Sequence, residues 1–423
     1  MEELISVGHR ALEAYRETGD QVGIGWARSQ LVMPLLMTAR DEDAEQAGRE
    51  AVATLEPLGE REELADALHS LGWYLWRRGR SLEAEPVLRR SVEMASRVDS
   101  PIVHARATQS LAVCLSQTGR SAEAIQMIEE AYRLAKDVGE FSNLMRCCNN
   151  LPSILADLAS DYPRAEAVLR EGLELAQRAG AKSHMSWMTG SLGDVLFRLG
   201  QLEEAERLQR EALALAKEVG DEPLRGMRLT ALAAAVLFRG RLDESEAIHR
   251  ESVPVLNENP EPQSQIYIPF VEGYLALLRG MHPEAIERFE TMIDQLRDLN
   301  VETAPEVFTE LIRALIHEGR GREGDGYRDL SESGRSPAAR AHAALVEGLL
   351  AADPAEARRL LGDGTAELER LGLRIDAAQA MLDLGRAMRR VGEDPRATFE
   401  RARDILTACD AQPLLVEVEA ELG

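Results

Sequence analysis

The 423-residue chain is poor in aromatics, in lysine and in cysteine, and each shortage excludes something. Aromatic residues make up 4%, while 45% of the chain is hydrophobic, so the apolar mass is carried mainly by Leu and Ala. That balance suits closely packed helices, and the alternating β-branched runs of strands are missing. Lysine occurs only at 136, 182 and 217, which leaves arginine as the working cation. Cationic residues are outnumbered, 49 against 73 acidic ones, giving a formal net charge of −24. Such a field repels phosphate backbones and anionic lipid, so direct nucleic-acid binding is not expected.

The four cysteines, Cys114, Cys147, Cys148 and Cys409, form no C-x-x-C pair and have no histidines at zinc spacing. Buried thiols in a reducing cytoplasm are the expectation. No apolar run approaches the roughly 20 residues of a membrane span, and no signal peptide opens the chain. A soluble cytoplasmic protein is expected.

What the chain does have is a repeat. Gly19, Gly59, Gly139, Gly180 and Gly220 fall 40 or 41 residues apart once Asp99 is counted between Gly59 and Gly139. Gly79, Gly119, Gly200, Gly240 and Gly280 form a second series at the same step, with a gap near Ala159. The two series interleave, so each marks the turn after one helix, where glycine tolerates the left-handed conformation. Between the marks the apolar residues keep helical spacing. In QLEEAERLQREALALAKEVG, Leu202, Ala205, Leu208, Ala212, Leu215 and Ala216 form one stripe, and Glu and Arg cover the solvated face.

Small residues stand seven positions before the inter-helix mark at Gly72, Gly193 and Gly273, and Ala112 and Ala233 fill the slot elsewhere. Ala84, Ala124, Ala205 and Ala285 stand five positions after it, with Ser245 as the one substitute. Large apolar residues occupy Leu71, Leu111, Leu192 and Leu232. Small residues let the two helices of a pair approach, and large ones fill the space beside them. This pattern resembles the tetratricopeptide repeat, whose period is about 34 residues; the longer step here implies longer helices. The resemblance implies an all-α, right-handed α-α superhelix, a solenoid of about ten helix pairs.

Read this way, residues 1–19 are the second helix of an incomplete first repeat and 20–300 a regular array. Residues 301–336 are a degenerate repeat and loop, 337–410 resume C-terminal pairs, and 411–423 form a capping helix. Opening in mid-repeat leaves the first helix uncovered. An upstream domain or a dimer contact at the N-terminal helix is expected to cover it.

Catalytic signatures are missing. The chain has no P-loop, dinucleotide fingerprint, H-E-x-x-H or G-x-S-x-G, and its eight histidines include no i, i+4 pair. No nucleophile is paired with a base. The expectation is a non-enzymatic protein without cofactor or metal.

In tetratricopeptide arrays the first helix of each pair lines the inner surface. Counting back 13, 10, 6, 3 and 2 residues from the inter-helix mark places Trp26, then His69, Trp73, Trp76 and Arg77 on that surface. The next pairs contribute Arg106 and Gln109, then Arg146, Asn149, Ser153 and Asp157, then Trp187, Asp194 and Arg198. Tryptophan and arginine anchor interfaces because they bury large area while keeping a polar handle. Asn149-Asn150-Leu151 resembles the Asn-Asn-Leu of kinesin-light-chain-like arrays, where an inner Asn amide holds a peptide backbone. Pro152 departs from that pattern and is expected to kink the helix.

The C-terminal half resembles the helical sensor arms of LuxR-type and maltose-activator-type transcriptional regulators and of cyclases fused to an ATPase module. The resemblance implies a sensor or scaffold arm of a bacterial regulator that binds a peptide, a protein segment or a small effector in its groove. The alternative is a free-standing scaffold, or a self-associating structural protein that uses its outer face or its open N-terminal helix. Self-association would need an exposed stripe of Leu4, Val7, Ala11 and Leu12.

Overall fold

The fold is taken from a computed structural model that describes residues 1–258, 262–299, 304–328 and 336–423. Of the stretch expected to be degenerate, 301–303 and 329–335 lie outside the described residues. The chain is all-α and belongs to the superhelical helix-pair class expected of it. Its contacts group into two compact units, Met1–Ile154 and Leu155–Gly423.

The first unit runs α1 (Glu2–Thr18), α2 (Gln21–Met37), α3 (Asp41–Leu55), α4 (Glu62–Arg77), α5 (Ser81–Arg97), α6 (Pro101–Gln117), α7 (Ser121–Val138) and α8 (Phe141–Ile154). Antiparallel partners are α2 with α3, α4 with α5 and α6 with α7. The first helices also pack on one another, α2 on α4, α4 on α6 and α6 on α8. The second helices α3, α5 and α7 do not pack on each other in that way. Arginine–glutamate pairs link them instead, such as Arg89 to Glu123 at 2.7 Å. Close first helices and spread second helices make α2, α4, α6 and α8 the inner row.

The helix ends follow the glycine series. Gly19, Gly139 and Gly79 take φ of 71°, 69° and 73°. Where the series lacks glycine, Asp99 and Ser160 adopt the same left-handed conformation at φ 53° and 52°, so the backbone repeat outlasts the sequence repeat. Asp20 caps α2, its carboxylate accepting from the amides of Val22 and Gly23 at 3.1 and 3.0 Å. The small-residue slots are tight: a Cβ on Gly72 would stand 2.7 Å from the Leu88 side chain. Ala84, Ala124, Ala205 and Ala285 are fully buried. Ser245 is buried too, and its hydroxyl donates to the Ala233 carbonyl at 2.8 Å. The α-helical ladder of α8 ends two residues beyond Pro152, and Leu155–Ala159 form a π-helical turn. A proline within a helix cannot donate the backbone bond of its turn, which is where such irregularities arise.

The second unit continues with α9 (Tyr162–Ala179), α10 (Lys182–Arg198), α11 (Leu202–Val219), α12 (Glu222–Phe238), α13 (Leu242–Glu258), the short α14 (Pro262–Gln265), α15 (Tyr267–Leu278), α16 (His282–Leu299) and α17 (Glu306–His317). A 3₁₀ segment (Gly321–Tyr327) follows α17. Then follow α18 (Pro337–Leu350), α19 (Pro354–Leu371), α20 (Arg374–Arg390), α21 (Arg396–Cys409) and α22 (Gln412–Leu422).

This unit coils until distant pairs touch. The turn at Gly200 meets the Cys409 sulfur and the side chains of Arg374 and Ile375, and the turn at Gly240 meets Gln412 and Pro413. Arg239 Nε donates to Asp410 at 2.8 Å, across 171 positions of sequence. One apolar core runs through it, from Leu202 and Phe238 through Tyr274 and Phe289 to Met381, Phe399 and Leu414. Among the described residues no helix is long and apolar enough to cross a membrane.

Candidate functional site

The inner row of the first unit carries a network of polar side chains drawn from α2, α4, α6 and α8. Gln30 on α2 donates to Asp66 on α4 at 2.8 Å, and Arg106 on α6 pairs with the same carboxylate. His69, one turn on from Asp66, meets the Ser110 hydroxyl of α6 at 3.0 Å between Nε2 and Oγ. Arg146 on α8 donates to Gln109 at 2.7 Å and lies 3.5 Å from the same Ser110 hydroxyl. Side chains about 40 residues apart thus join neighbouring repeats across the row.

Burial sets the electrostatics. Asp66 is 7% exposed, and burial pushes its carboxyl above the ordinary aspartate range against the attraction of Arg106. Burial holds the His69 imidazole well below its usual pKa, and the positive charges of Arg106 and Arg146 add to the effect. Arg146 is lowered from the ordinary arginine value by burial and by Arg106 beside it. A guanidinium stays charged under such a shift.

An open pocket of ≈ 580 Å³ lies along the N-terminal end of this row. Trp26, Gln30, Asp66 and Arg106 wall it, with Glu62 and Glu63 at the start of α4 and Ile102 and Val103 on α6. Trp26 is 42% exposed, high for the largest apolar side chain, and so offers a bare ring at the pocket.

The residues expected from register divide by unit. In the first unit Trp73 and Trp76 are half-buried, and the Trp76 indole donates to Gln117 at 2.9 Å. Arg77 is exposed and lies over the Trp76 ring at 5.8 Å. His69, Arg106, Gln109 and Arg146 meet in the network. Asn149 is half-buried, and its Oδ1 is buried with no hydrogen-bond donor. Ser153 is exposed and donates to the Asn149 carbonyl at 3.5 Å.

In the second unit Asp157 is exposed on the π turn, Trp187 is half-buried, and Asp194 accepts from Gln209 at 2.7 Å and from Arg228 at 3.3 Å. Arg198 pairs with Glu306 at 2.5 Å, and Glu306 is 5% exposed, so this guanidinium is used inside the chain. Burial works against its charge, and Glu306, with Tyr162 and Asp376, more than offsets it.

Register counting overlooked Asp66, Gln30 and Ser110. Asp66 stands 13 residues before Gly79, the slot Arg106 occupies before Gly119, so a signal for it existed. Gln30 and Ser110 stand nine residues before Ala39 and Gly119, outside the slots counted.

The cysteines are buried and none forms a disulfide. Burial raises the Cys147 thiol to about 12 and the Cys114 thiol to about 11, which suppresses the thiolate. Among the described residues no group of three or more His, Cys, Asp or Glu is placed to hold a metal ion. On α1, Leu4 and Val7 are 52% and 46% exposed, whereas Leu12 packs with Ile24 and Ala27.

Tetratricopeptide-repeat family models match residues 64–98, 107–140 and 184–258. No curated protein matches the chain in sequence. Among solved structures, a Rap protein complexed with competence and sporulation factor aligns with TM-score 0.53 at 13% identity, covering 95% of this chain and 99% of its own. The apo quorum sensor NprR from B. thuringiensis aligns with TM-score 0.52 at 13% identity, covering 78% and 97%. The Rap conjugation gene regulator of plasmid pLS20, in complex with the Phr* peptide, aligns with TM-score 0.53 at 12% identity, covering 84% and 97%. At such identities the likeness is one of fold. Glycine register, helix pairs and the family matches over residues 64–98, 107–140 and 184–258 agree on an array of tetratricopeptide-like helix pairs.

Proposed function

We propose that the inner row of the first unit binds a peptide or an extended protein segment, and that the chain is a non-enzymatic sensor or scaffold arm of a bacterial signalling or transcriptional regulator. The observation that carries this reading is the open pocket walled by Trp26, Gln30, Asp66 and Arg106. It combines a bare indole with carboxylate, amide and guanidinium groups, the mixture that recognises a peptide's side chains and backbone together. A core would not leave a tryptophan exposed beside charge. Two of the solved structures with this fold are described as complexes with a peptide or signalling factor, which supports a peptide as the ligand class here. The net charge of −24 argues against nucleic acid in that role.

The test is selection from a random hexapeptide library by the wild-type chain and by Trp26→Ala and Trp73→Ala, with circular dichroism confirming that each variant folds. Wild type is expected to enrich a defined set of sequences and the folded variants to lose at least tenfold of that enrichment. No enrichment by wild type, or equal enrichment by both variants, overturns the reading.

A further inference from the structure

The open pocket beside α2 combines an excess of acid with a bare aromatic face. Its charged walls are Asp20, Glu62, Glu63 and Asp66 against the one cation Arg106. Arg106 is engaged by Asp66, which also accepts from Gln30, and Asp20 is taken up capping α2. Glu62 and Glu63 have no hydrogen bond or ion pair among the described residues. Other cations of these helices are turned elsewhere: Arg61, next to Glu62 in sequence, donates to the Leu58 carbonyl, and Arg146 on α8 to Gln109. The acids also act on one another, since burial raises the Asp66 carboxyl and the nearby Glu62 charge adds to the rise. Acids in the first turn of a helix are at home there, so Glu62 and Glu63 by themselves mark no site. The aromatic walls are the independent observation. Trp26 stands 42% exposed in the pocket, where a core would have covered it. Tyr15 forms a second wall because Gly23 leaves room for its ring, which a Cβ there would approach to 2.3 Å. Val22, Ile102 and Val103 add apolar surface beside them.

Resting on the peptide reading above, we propose that this pocket takes an organic cation of the bound segment, its N-terminal ammonium or a Lys or Arg side chain, over the Trp26 ring and with Glu62 and Glu63 as counter-charges. The face of an indole attracts a cation through its quadrupole, and the two unpaired carboxylates supply the opposite charge. The volume of ≈ 580 Å³ is far larger than a bare ion needs, and the apolar wall suits the alkyl stem of an organic one. An anionic group would meet four carboxylates and a guanidinium already engaged. The pocket binds and orients its cation; no bond is made or broken.

The probes are the hexapeptides that wild type enriches, resynthesised in three forms: unchanged, N-terminally acetylated, and with each Lys or Arg replaced by Gln. Binding by wild type is expected to weaken at least tenfold in one of the two neutralised forms, which identifies the source of the cation. The double variant Glu62→Gln/Glu63→Gln is expected to bind all three forms alike. Trp26→Leu, which keeps apolar bulk without a π face, is expected to lower the preference as well. Glu284→Gln/Glu356→Gln serves as control, because it removes two exposed first-turn acids of the second unit and changes the net charge equally. That control is expected to keep the full preference. Equal affinity of wild type for all three forms overturns the proposal, as does a preference that survives in Glu62→Gln/Glu63→Gln or falls as far in the control. An undiminished preference in Trp26→Leu overturns the role given to the ring. The wild-type arm decides even if a variant fails to fold. Peptides bound without a cation preference sink this inference and leave the peptide reading standing, whereas no enriched peptide at all removes both.

Discussion

At the scale of single residues, spacing is a guide to side-chain size and a poor one to what stands opposite. The small slot at Gly273 follows from the repeat, and the reason is the Phe289 ring, which a Cβ would approach to 2.5 Å. Arg198 was placed inward by register, yet nothing in the spacing announced Glu306, more than a hundred positions away, as its partner. Glycines make the same point in a testable form. Gly273→Ala would gain about 1 kcal/mol of helix propensity but force a methyl onto a fully buried ring, and overpacking costs about 1–3 kcal/mol. The net expectation is a loss of about 0–2 kcal/mol, toward the upper end because the ring stands so close. Gly362, inside α19, would present a Cβ to nothing nearer than Leu384 at 3.9 Å. Gly362→Ala should therefore gain about 0.5–1 kcal/mol, because only the backbone entropy changes. Urea unfolding followed by far-ultraviolet circular dichroism should move the two midpoints in opposite directions. A shared direction would mean that close approach is not what the glycine of the small slot provides.

At the scale of helices, the pairs were legible because amphipathic stripes and turn glycines repeat along the chain, and because a missing glycine leaves the step intact. The cross-helix polar network was legible only in part. Asp66, Arg106 and Arg146 share a register slot, but the sequence does not say that Asp66 faces Gln30 and Arg106 while Arg146 faces Gln109. The network makes the packing of α4 on α6 depend on pH through His69. Its folded-state pKa lies well below 6.5, so as pH falls through 6.5 the unfolded chain takes up a proton that the folded chain refuses. The unfolded state then binds more protons, and stability falls with pH by at most about 1.4 kcal/mol per unit until the folded pKa is reached. Above 6.5 this group contributes no slope. Asp66 works in the opposite sense, because burial raises its folded pKa above 3.8. The difference between wild type and His69→Gln isolates the histidine. Hydrogen exchange of the α4 and α6 amides, corrected for intrinsic rates between pH 7.5 and 5.5, should show protection falling with pH in wild type. A flatter profile is expected for His69→Gln. Parallel profiles would mean that His69 takes its proton without cost to the row.

At the scale of the whole molecule, a one-dimensional repeat predicts contacts between neighbours, and the second unit adds contacts that no neighbour rule contains. Coiling brings α21 and α22 against the turns after α10 and α12, so that part of the core is shared by segments about 200 residues apart, a separation that local patterns do not encode. Glu206 is the hinge of charge at that closure. It is 5% exposed and accepts from Arg210 at 2.8 Å, from Arg239 at 2.6 Å and from Arg241. Burial alone would raise its carboxyl, and the three guanidiniums outweigh burial and hold it below the ordinary glutamate range. Arg239 reaches on to Asp410, whose side chain is 42% exposed. The two acids on this arginine should therefore differ sharply in worth. Glu206→Gln removes the carboxylate the three arginines share, but each is partly exposed and keeps Glu244 or Asp410, so losing these charged hydrogen bonds costs about 1.5–3 kcal/mol. Asp410→Asn removes the more exposed member and should cost about 0–1 kcal/mol. Denaturant unfolding gives the two totals, and hydrogen exchange locates them: for Glu206→Gln, faster exchange is expected in α21 and α22 as well as in α11 and α12. If exchange rose in α11 and α12 alone, the closure would be held by the apolar contacts at Gly200 and Gly240 and not by the Glu206 network.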